Sequence, residues 1–319
     1  SRGLDGIAQL SRLRLKIKQN NTLALIEKYI EEAAQKLGIS SIEVEDLAVD
    51  DFKLKDHQLI YSFDDYNANL VLTGIGKSVI KWFKPDGNEQ KSVPQFVKDK
   101  FAVKLKKLKA VQKQIDQTTS AQKERFDRML RSNRVMKLDY FKEKYLKHEL
   151  LSFCINKVIF KFSNENDDVL AIYINKQWIA LDYSNVDIEK YDNVLLWHPV
   201  ISTTNEVKEW RKFLMEGEIQ QPLKQAFREI YLLTDAEVNT RTYSNRMASH
   251  ILKQHQYVTL AKGRNWKARL IGSWDGGDQD TATLDMPEYN IRVEYWVNAL
   301  NAEDQFNDTG IWNYVSTDQ

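Results

Sequence analysis

The stretch "KVIFKFSNENDDVLAIYINKQWIALDYS", residues 157–184, decides the class of fold. Short runs rich in Val, Ile, Phe, Tyr and Trp are parted by "SNENDD", a polar turn, and by "NKQ", a tighter one. Asn and Asp favour such turns because their side chains bond the local backbone. The segment therefore reads as a β-meander of antiparallel strands. Beyond it the chain does not settle into the alternating strand and helix of a parallel sheet, so the class is α+β.

Working toward the C-terminus, "NVLLWHPV" (193–200) is another strand, stopped by Pro199. "STTNEVKEWRKFLMEG" (202–217) is an amphipathic helix, capped by Thr204 or Asn205 and ended by Gly217. "QQPLKQAFREIYLLT" (220–234) supplies a short helix with Pro222 near its start. "RTYSNRMASHILKQHQYVTL" (241–260) is a helix-length segment. "KARLIGSW", "TATLDMP", "NIRVEYWVNAL" and "IWNYVS" then read as strands, split by the loop "DGGDQD" at 275–280.

Toward the N-terminus, a helix over about 137–152 precedes the meander, and a longer one runs from about Gln95 to Ser132. Phe101, Leu105, Leu108, Ile115, Gln122, Phe126 and Met129 make one narrow seam on the long helix, with charges around it. Earlier still, "HQLIYSFDD", "NANLVLTG" and "KSVIKWFKPDG" alternate in twos as strands. "GIGKS" at 74–78 resembles the end of a phosphate-binding loop. Val71 stands where that motif needs glycine and a strand follows Ser78, so a hairpin turn is the reading. Residues 7–37 hold two short helices, the second stopped by Gly38, like the last pair of an α-solenoid. The chain starts without Met and stops inside a strand-like run, which is expected of a piece of a longer polypeptide.

The architecture expected is thus antiparallel β-sheets with a long helix, several amphipathic helices and an N-terminal helical pair. Its domains are 1–40, a helical pair; 41–150, a small β element with long basic helices; and 151–319, an α+β domain. A hydrophobic fraction of 42%, with 8 Trp, 14 Tyr and 13 Phe, argues against dominant disorder. The lone Cys154 lies in an apolar run, so no internal disulfide forms and a buried, inert thiol is expected. No apolar run approaches the roughly 18 residues of a membrane span. A cytoplasmic protein with no membrane contact is the simplest reading.

The net charge of +1 is unevenly spread. Residues 98–137 hold nine Lys and four Arg against four acids, while 275–319 hold ten acids against Arg292 alone. Lys104, Lys106, Lys107 and Lys109 are candidate nucleic-acid contacts, since lysines along a groove neutralise phosphates. The same run can also be a solvated face or meet the acidic C-terminal region.

Catalytic and metal motifs are missing. The five His (His57, His148, His198, His250 and His255) are scattered. His250 and His255, five apart on a helix, point roughly 140° apart and cannot share one ion. "DGGDQD" resembles a calcium loop but lacks its spacing. No cofactor and no metal follow from any motif, and no catalytic residue is assigned. On a 241–260 helix, Arg246, His250 and Gln254 form one row beside Met247, Ile251 and Val258. Such a row can grip a phosphate or carboxylate, or bond backbone carbonyls next to it.

The strings "LLWHPV" (195–200), "EWRKFLMEGEIQQPLKQAFREIYLLTDAE" (209–237) and "TYSNRMASHILKQHQYVTLAKGRNW" (242–266) carry a resemblance. They resemble a bacterial domain-of-unknown-function family found in proteins like the molybdate metabolism regulator. The resemblance spans roughly 95–319 and is densest from Trp197 to Trp266. It implies a domain that follows a helical-repeat region and accompanies a WGR module, hence a nucleic-acid-linked setting. It brings no reaction, but it marks His198, Gln221, Pro222, Arg228, Tyr231, Tyr243, Arg246, His250, Gln254 and His255 for testing.

Three readings follow. In the first, the chain is a non-enzymatic interaction or scaffolding domain of a larger protein, engaging nucleic acid or a protein partner alongside its own flanking domains. In the second, it is an enzyme for a nucleotide or phosphate ligand, with Arg228 and Arg246 as anion clamps and His250 or His255 as acid/base. Tyr231, Tyr243 and Gln254 would complete that site. In the third, the 241–260 segment is a polar-buttressed structural element. The missing catalytic constellation and the charge asymmetry favour the first.

Overall fold

Among the described residues, three antiparallel sheets and the helices around them make the fold α+β, as the meander implied. The structure is a computed structural model, and it describes residues 20–273, 279–286, 289–300 and 306–317, with isolated positions among residues 6–17. It divides into two units, whose bulk is Ile26–Ile230 and Tyr231–Gln319.

In the first unit, α1 (Asn20–Leu37) buries Ile26, Ile30 and Ala34 on one stripe. Gly38 follows it at φ +66, the left-handed stop read from the sequence. The first helix of the expected pair falls largely outside the described residues. α2 (Ser41–Leu47) opens in a capping box in which Ser40 and Glu43 side chains each accept the other's backbone N–H.

β1 (Gln58–Phe63), β2 (Tyr66–Gly74), β3 (Lys77–Phe83) and β4 (Glu89–Gln90) form a sheet in sequence order. Phe63, Ala68, Leu70, Leu72 and Trp82 line its buried face. "GIGKS" is the β2–β3 hairpin turn. Gly76 sits there at φ +70, donates its N–H to Thr119 Oγ1 at 2.9 Å, and leaves no room for a Cβ, which would lie 2.6 Å from Ser120 Oγ.

Two helices, α3 (Gln95–Lys100) and α4 (Ala102–Ser132), stand where the spacing predicts one. Phe101 leaves helical geometry at φ −123, and its ring packs on Phe63 and Phe96, centroids 5.8 and 5.9 Å away. Along α4 the seam from Leu105 to Met129 is buried. β5 (Val135–Lys137), α5 (Leu138–Phe141), a π-helical turn at Lys142–Leu146 and α6 (Glu149–Ile155) replace the single helix expected over 137–152. His148 interrupts it by capping α6, its Nδ1 accepting from Leu151 N at 3.3 Å.

The meander is β6 (Ile159–Ser163), β7 (Asp168–Ile174) and β8 (Gln177–Ile179). Asn164 Oδ1 closes the first turn by accepting the N–H groups of Asn166 and Asp167 at 2.8 Å, and Asn175 and Lys176 take positive φ in the second. β9 (Asn193–Leu196) joins them in the order β5-β9-β6-β7-β8. α7 (Thr204–Glu216) is capped by Thr203, one residue ahead of the expected pair, and ended by Gly217. The helix expected over 220–234 does not form. Buried Gln225 instead gives its amide N–H to Ile159 O at 2.7 Å and Trp197 O at 2.8 Å, and accepts from Ile159 N at 2.9 Å. Gln221 binds Lys157 O and Ala226 N. These side-chain bonds pin the segment to the sheet and compete with a helical ladder.

The second unit contains α8 (Asp235–Thr240), β10 (Ile251–Lys253), α9 (Gln254–Gly263), β11 (Gln279–Met286), β12 (Ile291–Ala299) and β13 (Tyr314–Ser316). Its strands run in the order β10-β13-β12-β11. The 241–260 stretch is not one helix: 241–250 runs through turns, 251–253 is a strand, and helix begins at Gln254. The sheet is the reason. Ser249 N donates to Thr317 O at 2.7 Å and Thr317 N to His250 O at 3.0 Å, taking backbone groups a helix would need. "KARLIGSW" makes two isolated bridges, Lys267 to Thr283 and Gly272 to Ile311, and among its described residues no strand. The loop "DGGDQD" lies outside the described residues through Asp278, and Asp280 falls on β11.

Candidate functional site

The seven residues singled out for ligand binding are divided between the units, Arg228 in the first and the other six in the second. Arg246 Nη2 donates to Glu237 Oε2 at 2.6 Å and Leu232 O at 2.5 Å, with the guanidinium 5.6 Å from the Tyr231 ring. Glu237 closes the capping box of α8 with Thr234. Bonds from Ser244 and the Thr234 backbone, then the Arg246 charge, hold its carboxyl at about 2. His250 Nδ1 lies 2.8 Å from Ala248 O and 3.2 Å from Met247 O, which makes that nitrogen the donor. Gln254 is fully buried and donates to Trp312 O at 2.7 Å and Ile271 O at 3.1 Å, while its Oε1 accepts Ile271 N. His255 and Tyr243 are exposed, with His255 Nε2 3.4 Å from Asn307 Nδ2. Tyr231 and Arg246 are therefore brought together, but the helical row Arg246–His250–Gln254 does not exist, because no helix spans it.

Arg228 Nε donates to Lys224 O at 3.0 Å, and its Nη2 pairs with Asp127 of α4. Beside them His198 Nδ1 accepts from Val200 N at 3.0 Å. Burial, then the Arg228 charge, pushes the imidazole below its ordinary pKa, with Asp127 opposing. This leaves a neutral ring at pH 7 next to an ion pair. Asp127 was hidden in the basic run, 101 residues from its partner, and no spacing in the sequence links the two.

The basic run of α4 separates into two halves. Lys104 Nζ folds back to Ser62 O and lies 5.0 Å from the Phe63 ring. Lys106, Lys107, Lys109 and Lys113 are exposed, and among the described residues none has a carboxylate within ion-pair distance. Steps of three and four put Lys106, Lys109 and Lys113 on one stripe; Lys113 was not among the lysines first singled out. The arginines behave differently. Buried Arg125 pairs with Asp46, Arg134 Nη1 donates to Asp46 Oδ2 at 2.9 Å, and Arg128 Nη2 reaches Glu45 Oε2 at 3.2 Å. The Tyr140 and Tyr145 hydroxyls each donate to Asp46 at 2.7 Å. α2 thus neutralises Arg125 and Arg128 of α4 and Arg134 just beyond it, while Lys106, Lys107, Lys109 and Lys113 are left to solvent.

In the acidic region, Asp280 pairs with Arg269 at 3.0 Å, and Asp285 with Lys267 at 2.9 Å and Arg292 at 2.7 Å, all within the second unit. Among the described residues, no group of three or more His, Cys, Asp or Glu could hold a metal ion. None of the described helices is long and apolar enough to cross a membrane.

The chain is similar to a protein of Escherichia coli (strain K12) described as uncharacterized protein YehI, with 22% identity over 323 residues. That alignment covers 90% of this chain and 25% of the relative, so the chain spans about a quarter of the relative's length. No solved structure matches it. Residues 87–266 match the family described as Domain of unknown function (DUF4132). That match runs from the end of the first sheet through α4, the meander, Arg228 and Arg246 to Trp266, more than half of the chain, and the protein belongs to the DUF4132 family.

Proposed function

We propose that the chain is an interaction module of a larger cytoplasmic bacterial protein, and that the lysine stripe of α4 docks nucleic acid. One contrast carries the reading: along a single helix Arg125 and Arg128 turn inward to carboxylates, while among the described residues Lys106, Lys109 and Lys113 face solvent with no carboxylate in ion-pair reach. Residues 98–113 hold seven Lys against Asp99 alone, enough charge to displace counterions from a phosphate backbone. The resemblance to molybdate metabolism regulator-like, WGR-associated proteins agrees with such a setting. The alternative, a nucleotide or phosphate enzyme built on Arg228, Arg246 and His250, has less support, since each of the three already bonds protein groups.

The test is the anisotropy of a labelled duplex oligonucleotide between about 50 and 200 mM salt. Wild-type affinity should fall steeply, with a log–log slope of about −0.9 for each phosphate neutralised. Changing Lys106, Lys109 and Lys113 to Gln together should flatten that slope by roughly 3. Absence of binding at the lower salt, or an unchanged slope in the triple variant, sinks the proposal.

A further inference from the structure

The outer face of the first sheet, turned away from α4, contributes to no core. Gln112 and Asp116 of α4 bond Ser78 on the inner face, whereas outward Ile60 and Val79 are 58% and 46% exposed. Phe83, also outward, belongs to neither hydrophobic cluster of its unit. The strand register sets Asn67 opposite Phe83, and Asn69 opposite both Ile60 and Lys81. Ile60, Asn67, Asn69 and Phe83, with Asp65 and Lys84 from the adjoining turns, line a shallow cavity of about 360 Å³.

Two features make this face more than a bare apolar patch. Asn67 and Asn69 are half-buried as residues, and among the described residues neither amide is taken up by a protein hydrogen bond. Their amide atoms reach solvent, so a donor–acceptor pair fixed two residues apart on one face is open to a ligand. The charges of the face nearly cancel, Lys81 lying 3.9 Å from Glu89, so it does not track a phosphate backbone. What it offers is a flat aromatic ring, a fixed set of donors and acceptors, an extra acceptor in Asp65 and one cation in Lys84. An unstacked nucleobase beside its phosphate asks for that combination.

We propose that this face receives a base of single-stranded nucleic acid. Phe83 stacks on the ring, Asn67 and Asn69 bond its edge, and Lys84 meets the adjoining phosphate. It rests on the polyanion reading of α4 and adds a preference for single strands, whose bases are not stacked on one another. The two contacts lie on opposite sides of the sheet and engage different points of one strand.

The experiment compares affinities of the full chain for labelled oligodeoxythymidylate, whose bases stack weakly, and for a duplex of equal length, at one salt concentration. Single strands should bind more tightly. Phe83→Ala should weaken them by about ten-fold and leave the duplex unchanged. Asn69→Asp, which replaces one outward amide by a carboxylate, should weaken single strands too and guards against a folding defect in the phenylalanine variant. Equal binding of both forms, with neither variant altering it, overturns the sheet proposal and leaves the α4 reading standing. Failure of both forms to bind overturns the two together. A protein partner on this face would show as the first of these results.

Discussion

Gln254 uses both ends of its amide: it accepts from Ile271 N and donates to Trp312 O and to Ile271 O, the last of which also accepts from Trp312 N at 3.1 Å. Gln254→Ala leaves Ile271 N and Trp312 O without this partner and should cost about 2–3 kcal/mol in urea unfolding. His255→Ala, one residue on and exposed, should stay within about 0.5 kcal/mol. Equal losses would mean that the amide is not a structural clasp. Glu237 can be tested by pH. Its folded value of about 2 lies below the ordinary 4.5, so its contribution is present above pH 4.5 and is lost as pH falls from there toward 2. An NMR titration of its carboxyl should show a midpoint near the lower figure; a midpoint at 4.5 would mean that the Ser244 and Thr234 bonds are not made. Burial pushes the Cys154 thiol up to about 12 against the opposing charge of Arg125. In the native chain it should therefore resist an aromatic disulfide reagent at mildly alkaline pH and react in full only after denaturation. Rapid native labelling would contradict that burial.

The elements divide by whether their cause is local. Strands were legible where period-two runs met Asn, Asp and Gly, as in β2, β3, β6 and β7, because neighbouring residues suffice to specify them. The α4 seam was legible for the same reason. Misreadings fall where a distant group claims the backbone or the ring: Thr317 at Ser249 and His250, Ile159 and Trp197 at Gln225, Phe63 at Phe101. The candidate site was half legible. The lysine run is plain in the sequence, but the fate of its arginines depends on Asp46, 79 residues from Arg125. The outer face of the first sheet stayed hidden until the register set Asn67 beside Phe83. The tie between α2 and α4 is testable as one element contact. Asp46→Asn leaves Arg125 and Arg134 without their shared carboxylate, and removing one partner of a buried ion pair costs about 3–5 kcal/mol. A loss below about 1 kcal/mol in a urea melt would mean that α2 is held by apolar contacts alone, with Val44 the first residue to examine.

Across the whole molecule, core and charge are unequally shared. The first unit encloses Phe63, Leu70, Trp82, Phe126, Tyr145, Phe160 and Phe162 in one cluster, and Trp197, Trp210 and Leu214 in a second. The described clusters of the second unit centre on Val258, Ala268 and Ala282, and on Ile271, Val297 and Val315. Local stability follows buried apolar contact, so the two units should open at different free energies. Native-state hydrogen exchange should protect amides of β6, β7 and β9 at least about ten-fold better than those of β11 and β12, a gap of roughly 1.4 kcal/mol. The lysine stripe sits on the better-packed unit, where a binding surface keeps its shape while other parts open. A nucleic acid that docks there stabilises only the unit it touches, by roughly 2.7 kcal/mol at 100 times its dissociation constant. Added oligonucleotide should therefore slow exchange in the first unit and leave β10 to β13 as they were. Slowing confined to β10–β13 would move the docking surface off α4 and onto the unit that carries Arg246 and His250.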